Sequence, residues 1–159
     1  MHAEESNAER LLGQLRRDEG AVRDQAGRHL AYRCPAGKLT VGYGHNLEAN
    51  PIPGLAEGSV LSEEDARTLL EKDASLVKGQ LTLWFPWTIR LDFPRFAVLV
   101  NMAFNMGVGG LSTFKNTFED VKSGNYAGAA RRMRASKWAL QVGNRARRLC
   151  KQMETGQWQ

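Results

Sequence analysis

The stretch YRCPAGKLTVGYGH, residues 32–45, predicts a β-hairpin. On both sides of the turn sequence PAGK, every second residue is apolar or aromatic, from Leu30 to Cys34 and again from Leu39 to Tyr43. A period of two is typical of a strand with one buried face, and Pro and Gly between two such runs favour a turn. We expect two antiparallel strands, the second of which continues to the histidine that ends the stretch.

Helices are predicted on both sides of this hairpin. Ser6 begins a capping-box pattern followed by leucines at helical spacing, so a first helix should run to about Glu19 and end near Gly20. A second helix of about twenty residues, roughly 30 Å long, should begin after Ser62. Beyond Leu91 the pattern is helical, with short helices separated by glycine-containing breaks.

These elements predict an α+β fold with two lobes. Residues 1–61 should form a small α+β lobe with the hairpin, 62–82 a long connecting helix, and 83–159 an all-helical lobe. A chain of 159 residues is long enough for one core, or for two small lobes that share a helix, and too short for two large domains. One catalytic domain with a single cleft is therefore expected.

The composition indicates a folded protein without a membrane anchor, with 42% hydrophobic and 25% charged residues. The first residues, MHAEESNAER, are charged where a signal peptide needs an apolar segment, so synthesis in a cytoplasm without a signal peptide is expected. The most apolar run, RFAVLVNMAFNMGVGG, is interrupted by Asn101 and Asn105 and is too short to span a bilayer. We expect a buried core helix there.

Basic residues are concentrated in the last quarter of the chain. Between Val121 and Gln159, nine Lys and Arg face one acidic residue, a net charge of +8, whereas the remainder carries −3. A basic surface suits an anionic polymer such as nucleic acid, anionic lipid or bacterial cell wall. A solvated basic face without a partner is the alternative.

Cys34 permits four interpretations: a small core residue, half of a disulfide, a metal ligand or a reactive group. Cys34 and Cys150 are too few for the disulfide framework of a small secreted protein, so both are expected to be free thiols. A metal site formed by Cys34, His29 and His45 lacks a complete ligand set and a typical spacing, and neither a metal nor another cofactor is expected. The core and reactive interpretations stay open at this point.

Glu19 is a candidate catalytic acid. If the first helix packs against the hairpin, the carboxyl group of Glu19 faces Cys34 and Thr40 across one cleft. Glycoside hydrolysis needs one group that protonates the leaving oxygen and another that handles water or the developing cation. On spacing alone, a solvated carboxylate at a helix end is the alternative.

A resemblance to a known family rests on four segments: LRRDEG, LAYRCPAGKLTVGYGHNL, NMAFNMGVGGLSTF and ASKWALQVGNRARRLCKQMETGQW. In order and in motif they resemble the phage-type lysozymes and endolysins, the glycoside hydrolase family that includes T-even phage lysozyme. The match is looser between Asn50 and Leu91. The resemblance implies a lysozyme-like α+β fold, with the glycan chain of peptidoglycan in the cleft between the lobes.

The family's catalytic motif of a Glu, an Asp or Cys, and a Thr matches Glu19, Cys34 and Thr40. The resemblance implies that Glu19 is the general acid, with a pKa raised by its environment, and that Thr40 positions the attacking water or stabilises the opposite face of the sugar. Cys34 stands where many relatives keep Asp, and whether it acts as a base or as a nucleophile is open. Either role needs a thiolate, which the neighbouring Arg33 and Lys38 are expected to favour.

Other positions match residues of the family that do not take part in the chemistry. His45 and Asp73 correspond to a His and an Asp that pair, which implies a structural role for them. Trp138 is expected in the core of the helical lobe. The residues that match those bordering or facing the family's cleft are Phe104, Asn105, Asn144 and Arg145.

The spacing departs from the family pattern at one place. Fourteen residues separate Glu19 from Cys34 where the family has eight, whereas the five residues between Cys34 and Thr40 are unchanged. We interpret six residues near Val22 to Gly27 as an insertion after the first helix. It is expected to loop outward at modest entropic cost.

The resemblance implies a phage endolysin, a muramidase that hydrolyses the β-1,4 bond between N-acetylmuramic acid and N-acetylglucosamine of bacterial peptidoglycan for host cell lysis. A monomer is expected, made in the host bacterial cytoplasm and acting on the wall in the periplasm after a holin opens the inner membrane. No nucleic acid partner and no stable membrane insertion are expected. The alternative is a catalytically impaired lysozyme-like protein that binds cell wall or nucleic acid, which the insertion motivates.

Overall fold

A computed structural model describes residues 5–159. The chain divides into two compact units, the first ending at Leu76 and the second comprising Val77–Gln159. The described strands all lie in the first unit, and the second is helical, so the α+β fold class is confirmed. The division into 1–61, 62–82 and 83–159 stays a prediction of how the chain is organised.

The first unit begins with helix α1 (Asn7–Glu19). The Ser6 side chain accepts a hydrogen bond from the backbone N–H of Glu9, and the Glu9 carboxylate accepts one from Ser6, so the predicted capping box is present. Gly20, with a φ of 65°, ends the helix. The sequence therefore predicted both ends of this helix correctly, which places Glu19 at its C-terminal end.

Two small antiparallel sheets follow α1. The first pairs one strand near the start of the region with one at its end, and the second has three strands in chain order. Their bounds are β1 (His29–Leu30), β2 (Tyr32–Arg33), β3 (Leu39–Val41), β4 (His45–Asn46) and β5 (Val60–Leu61), with β1 paired to β5 and the order β2-β3-β4. The core beneath them contains Ala31, Val41 and Leu47.

The prediction that the second strand continues to His45 is wrong. The strand ends at Val41, and β4 returns antiparallel to it, with Val41 opposite His45. Gly42 and Gly44 have φ values of 63° and 83°, in the left-handed region that glycine adopts without steric cost, and together they turn the chain. An alternating pattern alone does not distinguish a strand from this turn.

The predicted insertion is a hydrogen-bonded hairpin, not an irregular loop, and most of its residues are exposed. Residues 22–30 fold as a second hairpin in which the Leu30 N–H donates to the Val22 carbonyl at 2.9 Å. The Asp24 carboxylate organises its tip by accepting hydrogen bonds from the backbone N–H groups of Ala26 and Arg28 at 3.0 and 2.9 Å. The extra residues are therefore held by their own hydrogen bonds, and β1 extends from this hairpin.

Helix α2 (Glu63–Trp84) leads from the first unit into the second. Its start has the predicted cap, because the Ser62 hydroxyl accepts a hydrogen bond from the Asp65 N–H at 3.0 Å. Ala66, Leu70 and Ala74 are buried along one stripe, as the sequence predicts. This stripe packs the first part of the helix within its unit.

The second unit consists of helices, and its core is centred on α3. Val98, Leu99 and Met102 of that helix are fully buried. Within residues 5–159 no single helix is both long and apolar enough to cross a membrane, and α3 and α4 meet those criteria only together, across a bend of 119°. The elements are a 3-10 helix (Pro86–Arg90), α3 (Phe93–Leu111), α4 (Lys115–Lys122), α5 (Tyr126–Arg134), α6 (Lys137–Val142) and α7 (Asn144–Thr155).

Candidate active site

Glu19 lies against the glycine turn that follows β3. A methyl group added to Gly44 would be 2.8 Å from the Oε2 atom of Glu19, closer than ordinary contacts permit. Gly44 also has a φ of 83°, which disfavours any side chain. Glycine at this position therefore lets the backbone approach the carboxyl group. Sequence reasoning missed this contact, although the Gly-Tyr-Gly sequence was its visible signal.

Cys34 occupies the first position of a tight turn between β2 and β3. Its carbonyl accepts a hydrogen bond from the Gly37 N–H at 2.7 Å, and its own N–H donates to the Lys38 carbonyl at 2.9 Å. Gly37 has a φ of 78°, and no described non-glycine residue has a positive φ, so the turn is type I followed by a left-handed glycine. The first position of such a turn favours Asp, Asn or Ser, which accept hydrogen bonds from the turn's N–H groups.

The same N–H groups act on the Cys34 thiol. A hydrogen bond from the backbone N–H of Lys38 is the main cause that lowers the pKa of Cys34, with smaller contributions from the Ala36 N–H and the Thr40 hydroxyl, against the opposing effect of burial. A thiolate therefore uses the donors that a carboxylate would use in this turn. This gives a physical reason why this position of the predicted motif can hold either Asp or Cys.

The side-chain charges of Arg33 and Lys38, which were expected to favour the Cys34 thiolate, interact with carboxylates. Arg33 pairs with Glu48 and Glu57 at 3.1 and 3.2 Å, and the Lys38 ammonium is 3.9 Å from Glu48. Lys38 favours the thiolate of Cys34 through its backbone N–H instead. The cationic side chains of both residues are thus engaged by carboxylates.

Thr40 stands on β3 opposite Tyr32 and is buried. Its hydroxyl donates to the Lys38 carbonyl at 3.0 Å and also lies within hydrogen-bond reach of the Cys34 thiol. The single hydroxyl hydrogen serves one of these acceptors at a time. Cys34 and Thr40 are therefore adjacent, as the predicted motif requires.

Tyr32 is a member of this neighbourhood that sequence reasoning did not assign. Burial raises its pKa first, and the negative charges of Cys34 and Glu19 raise it further. A phenol that interacts with both charges lies near both groups. Within the first unit, Tyr32 thus lies within electrostatic range of both Glu19 and Cys34, and Cys34 is adjacent to Thr40.

His45 and Asp73 form the predicted pair. The His45 Nδ1 atom is 2.7 Å from the Asp73 carboxylate, and Nε2 is 2.8 Å from the Asn50 carbonyl, so both ring nitrogens donate when the imidazole is charged. The hydrogen bond to Asp73 is the main cause that raises the pKa of His45. The pair ties the start of β4 to α2.

The two cysteines, both free thiols, should differ sharply in reactivity. Cys34 is half-buried with a lowered pKa, whereas burial raises the pKa of Cys150 to about 11. Because the thiolate is the reactive form, iodoacetamide at pH near 8 should alkylate Cys34 at least about a hundredfold faster than Cys150. Peptide mass spectrometry over a time course measures both rates in one sample, and equal rates, or faster modification of Cys150, would contradict this assignment.

The residues predicted for substrate binding lie in the second unit. Asn105 is exposed and accepts a hydrogen bond from the Trp138 indole at 3.1 Å, and Trp138 is buried as expected. Arg145 is only 8% exposed and donates to the Asn101 side chain at 2.9 Å. Phe104 is half-buried and Asn144 is exposed at the start of α7. A role for these residues in substrate binding stays a prediction.

Part of the basic C-terminal surface is paired with acids. Arg132 contacts Asp120 at 2.7 Å, and Arg134 contacts Glu154 at the same distance. Arg131, next to Arg132 in the chain, is another exposed cation of α5. Within residues 5–159 no group of three or more His, Cys, Asp and Glu side chains is arranged to hold a metal ion.

Comparison with known proteins identifies one family. The family model described as phage lysozyme matches residues 23–154 and so includes Cys34, Thr40, His45 and Asp73. The match begins four residues after Glu19. The assignment of Glu19 therefore depends on its position against Gly44 and on its electrostatic interaction with Tyr32.

Individual relatives are similar at modest identity. The probable T4-type lysozyme 2 of Dictyostelium discoideum is 28% identical over 92% of this chain and 94% of its own length. The pre-baseplate central spike protein Gp5 of Enterobacteria phage T4 is 30% identical over 89% of this chain, which corresponds to 27% of that longer protein. An endolysin of Acyrthosiphon pisum secondary endosymbiont phage 1 is 28% identical over 63% of this chain and 62% of its own.

Proposed function

Because the chain belongs to the phage lysozyme family, we propose that it is an endolysin-type muramidase that hydrolyses the β-1,4 bond between N-acetylmuramic acid and N-acetylglucosamine in bacterial peptidoglycan. The observation that supports this proposal is the position of Glu19 against Gly44, at the turn that follows β3, in the same unit as the adjacent Cys34 and Thr40. The names of the relatives, lysozyme and endolysin, agree with it.

In the proposed reaction, Glu19 donates its proton to the glycosidic oxygen while the bond between that oxygen and the anomeric carbon breaks. Positive charge develops on the sugar ring and is stabilised by the anionic Cys34. The thiolate either removes a proton from the attacking water or attacks the anomeric carbon itself, and both roles use the ionised form that the turn N–H groups favour. Thr40 orients the water, and its hydroxyl also hydrogen-bonds to the thiolate.

The biological role that suits this chemistry is opening of the host wall at the end of phage infection. In this proposal the protein is made in the host cytoplasm, reaches the periplasmic wall when a holin opens the inner membrane, and acts as a monomer on glycan strands. The exposed cations of α5 and α7 favour contact with the acidic wall.

The alternative is a lysozyme-like protein that binds wall or nucleic acid without cleaving it. It was motivated by the insertion after Glu19, but that segment folds into an ordered hairpin and leaves Glu19 in contact with Gly44. The remaining motivation is the basic C-terminal quarter. Two of its arginines already pair with Asp120 and Glu154. The hydrolase is therefore the stronger proposal.

Purified peptidoglycan distinguishes the two functions. The wild-type protein is incubated with sacculi, soluble reducing groups are measured, and the pellet is assayed for bound protein at low and high salt. The hydrolase predicts a continuous release of reducing groups. Salt-sensitive binding without any release would instead support the binding protein and contradict the proposed function.

A further inference from the structure

The Glu63 carboxylate is the centre of a side-chain network on the first unit. At the start of α2 it contacts Arg67 at 2.8 Å, Arg23 at 2.9 Å, and Tyr43 and His29 at 2.6 Å each. Four partners are many for one carboxylate that is about one-third exposed. We call these five residues the Glu63 network.

The partners of Glu63 stabilise the ionised form of its carboxyl group. Burial alone would raise the pKa of Glu63, but the hydrogen bonds from its partners outweigh burial and hold that pKa well below its usual range. Burial and the contact with Glu63 raise the pKa of Tyr43, which keeps its hydroxyl protonated and donating. The network is therefore organised around an ionised Glu63 carboxylate and a protonated Tyr43 hydroxyl.

Two of the four partners of Glu63 come from the extra hairpin after α1. Arg23 and His29 lie at its base, where an isolated bridge pairs them. Arg23 also donates to the Gly27 carbonyl at 3.0 Å and to the Tyr43 hydroxyl at 3.1 Å. His29 is fully buried and packs its ring against Tyr43 in an edge arrangement, with centroids 4.8 Å apart. The hairpin is thus joined to Tyr43 by a hydrogen bond and a ring contact.

Tyr43 connects this network to Glu19. It is the middle residue of the Gly-Tyr-Gly turn, whose flanking glycines both have positive φ. On one side of the turn, a methyl group at Gly42 would meet the Cβ of Ala66 at 3.5 Å, and on the other, one at Gly44 would meet Glu19 at 2.8 Å. Neither glycine carries a side chain that could hold the turn, and the hydrogen bonds of the Tyr43 phenol to Arg23 and Glu63 hold it at its middle residue.

We propose that Tyr43, held by Arg23 and Glu63, is a positioning residue for Glu19, and that the extra hairpin after α1 completes the active site instead of impairing it. The phenol fixes the turn, the turn presents the bare Gly44 backbone to the carboxyl group, and Glu19 is thereby held in one orientation. The catalytic consequence rests on the proposed function. The positioning itself is a property of the free protein.

The first test observes Glu19 directly, without any reaction. In protein labelled with carbon-13 at the Glu carboxyl groups, the resonance that disappears in Glu19→Gln belongs to Glu19. Tyr43→Phe removes only the hydroxyl and should shift that resonance. Arg28→Gln breaks the Arg28–Asp24 pair of 2.7 Å in the same hairpin without touching the network, and should leave the resonance at its wild-type position.

The second test measures kinetics on purified peptidoglycan strands, at a temperature where circular dichroism shows every variant folded. Tyr43→Phe should lower kcat about tenfold with KM within about twofold, because misplacing a reacting group affects the transition state more than binding. Arg23→Gln, which keeps the Tyr43–Glu63 bond, should lower kcat in the same direction by less. Arg28→Gln should match the wild type.

The combined outcomes separate the two proposals. A shifted Glu19 resonance together with a lower kcat supports the positioning role. An unchanged resonance in Tyr43→Phe overturns it, as does a shifted resonance with an unchanged kcat. A shifted resonance in a protein whose wild type releases no reducing groups means that the positioning stands and the proposed function is wrong.

Discussion

Replacement of Glu19 by Gln should lower the rate of glycan cleavage by about a thousandfold. Glu19 is the group proposed to protonate the leaving oxygen, and general acid catalysis contributes on the order of 10²–10⁴ to a rate. The amide of Gln has a similar shape but cannot supply the proton. The measurement is kcat for release of reducing groups from purified glycan strands at several substrate concentrations.

A matched variant controls for the loss of a carboxylate as such. Glu64→Gln makes the same chemical change at an exposed position on α2 and should leave kcat within about twofold of the wild type, in the range usual for a remote surface change. Circular dichroism should show the Glu19 variant folded at the assay temperature, and it should sediment with sacculi as the wild type does. If Glu19→Gln cleaves as fast as Glu64→Gln, Glu19 is not the catalytic acid.

The second large effect concerns stability. Asp73→Asn should lower the free energy of unfolding by about 2–3 kcal/mol near pH 5.5, because it removes the charged acceptor of a buried imidazolium. His45 is 6% exposed and depends on this hydrogen bond of 2.7 Å. For a chain of this size the corresponding fall in Tm is roughly 5–10 °C. Calorimetry or circular dichroism measures it.

The loss of stability in Asp73→Asn should become smaller as the pH rises. Asp73 raises the pKa of His45 in the folded protein above its ordinary value of about 6.5. The pair therefore contributes its full stabilisation below about pH 6.5, and this contribution is lost as the pH rises through the raised folded value. The difference between wild type and Asp73→Asn should shrink above that value.

Glu71→Gln is the control for this prediction, because it removes an exposed carboxylate from the same helix. Its free energy of unfolding should stay within about 0.5 kcal/mol of the wild type. A difference between Asp73→Asn and wild type that grows from pH 6 to pH 9 would contradict the assignment of a charged His45.

Features set by neighbouring residues could be predicted from the sequence. The capping box of α1 depends on Ser6 and Glu9, three positions apart, and the turn before Thr40 depends on the Pro and Gly within PAGK. Each signal acts within a few residues, so the folded context does not change it. The resemblance to a family then added Glu19, Cys34 and Thr40 as a set, and their joint role in catalysis stays a prediction.

Features set by distant residues were not predicted where the resemblance gave no pairing. His29 and Glu63 are 34 positions apart, and Tyr43 lies 20 positions from both Arg23 and Glu63, so no local pattern indicates that they meet. The extra segment was interpreted as an outward loop because its Gly and charged residues resemble a loop when taken alone. Its Asp24 carboxylate and its two contacts with Glu63 give it order.

The predicted extension of the strand to His45 was wrong although the alternating pattern indicated burial correctly. Leu39, Val41 and Tyr43 alternate as a strand does, and Tyr43 is indeed buried. Its burial comes from contacts with His29 and Glu63, whereas the sheet ends at Val41. A period of two reports which residues are buried and does not report whether the backbone stays extended.

The proposed function specifies which glycosidic bond the protein cuts. The sugar at the new reducing ends identifies that bond. Peptidoglycan digested by the wild-type protein is reduced with borohydride, hydrolysed and analysed for amino-sugar alcohols, with the Glu19→Gln digest as the blank. A muramidase leaves a new reducing muramic acid at each cut, so reduced muramic acid should accumulate in the wild-type digest alone. Reduced glucosamine instead, or no new reduced end above the blank, would contradict a muramidase.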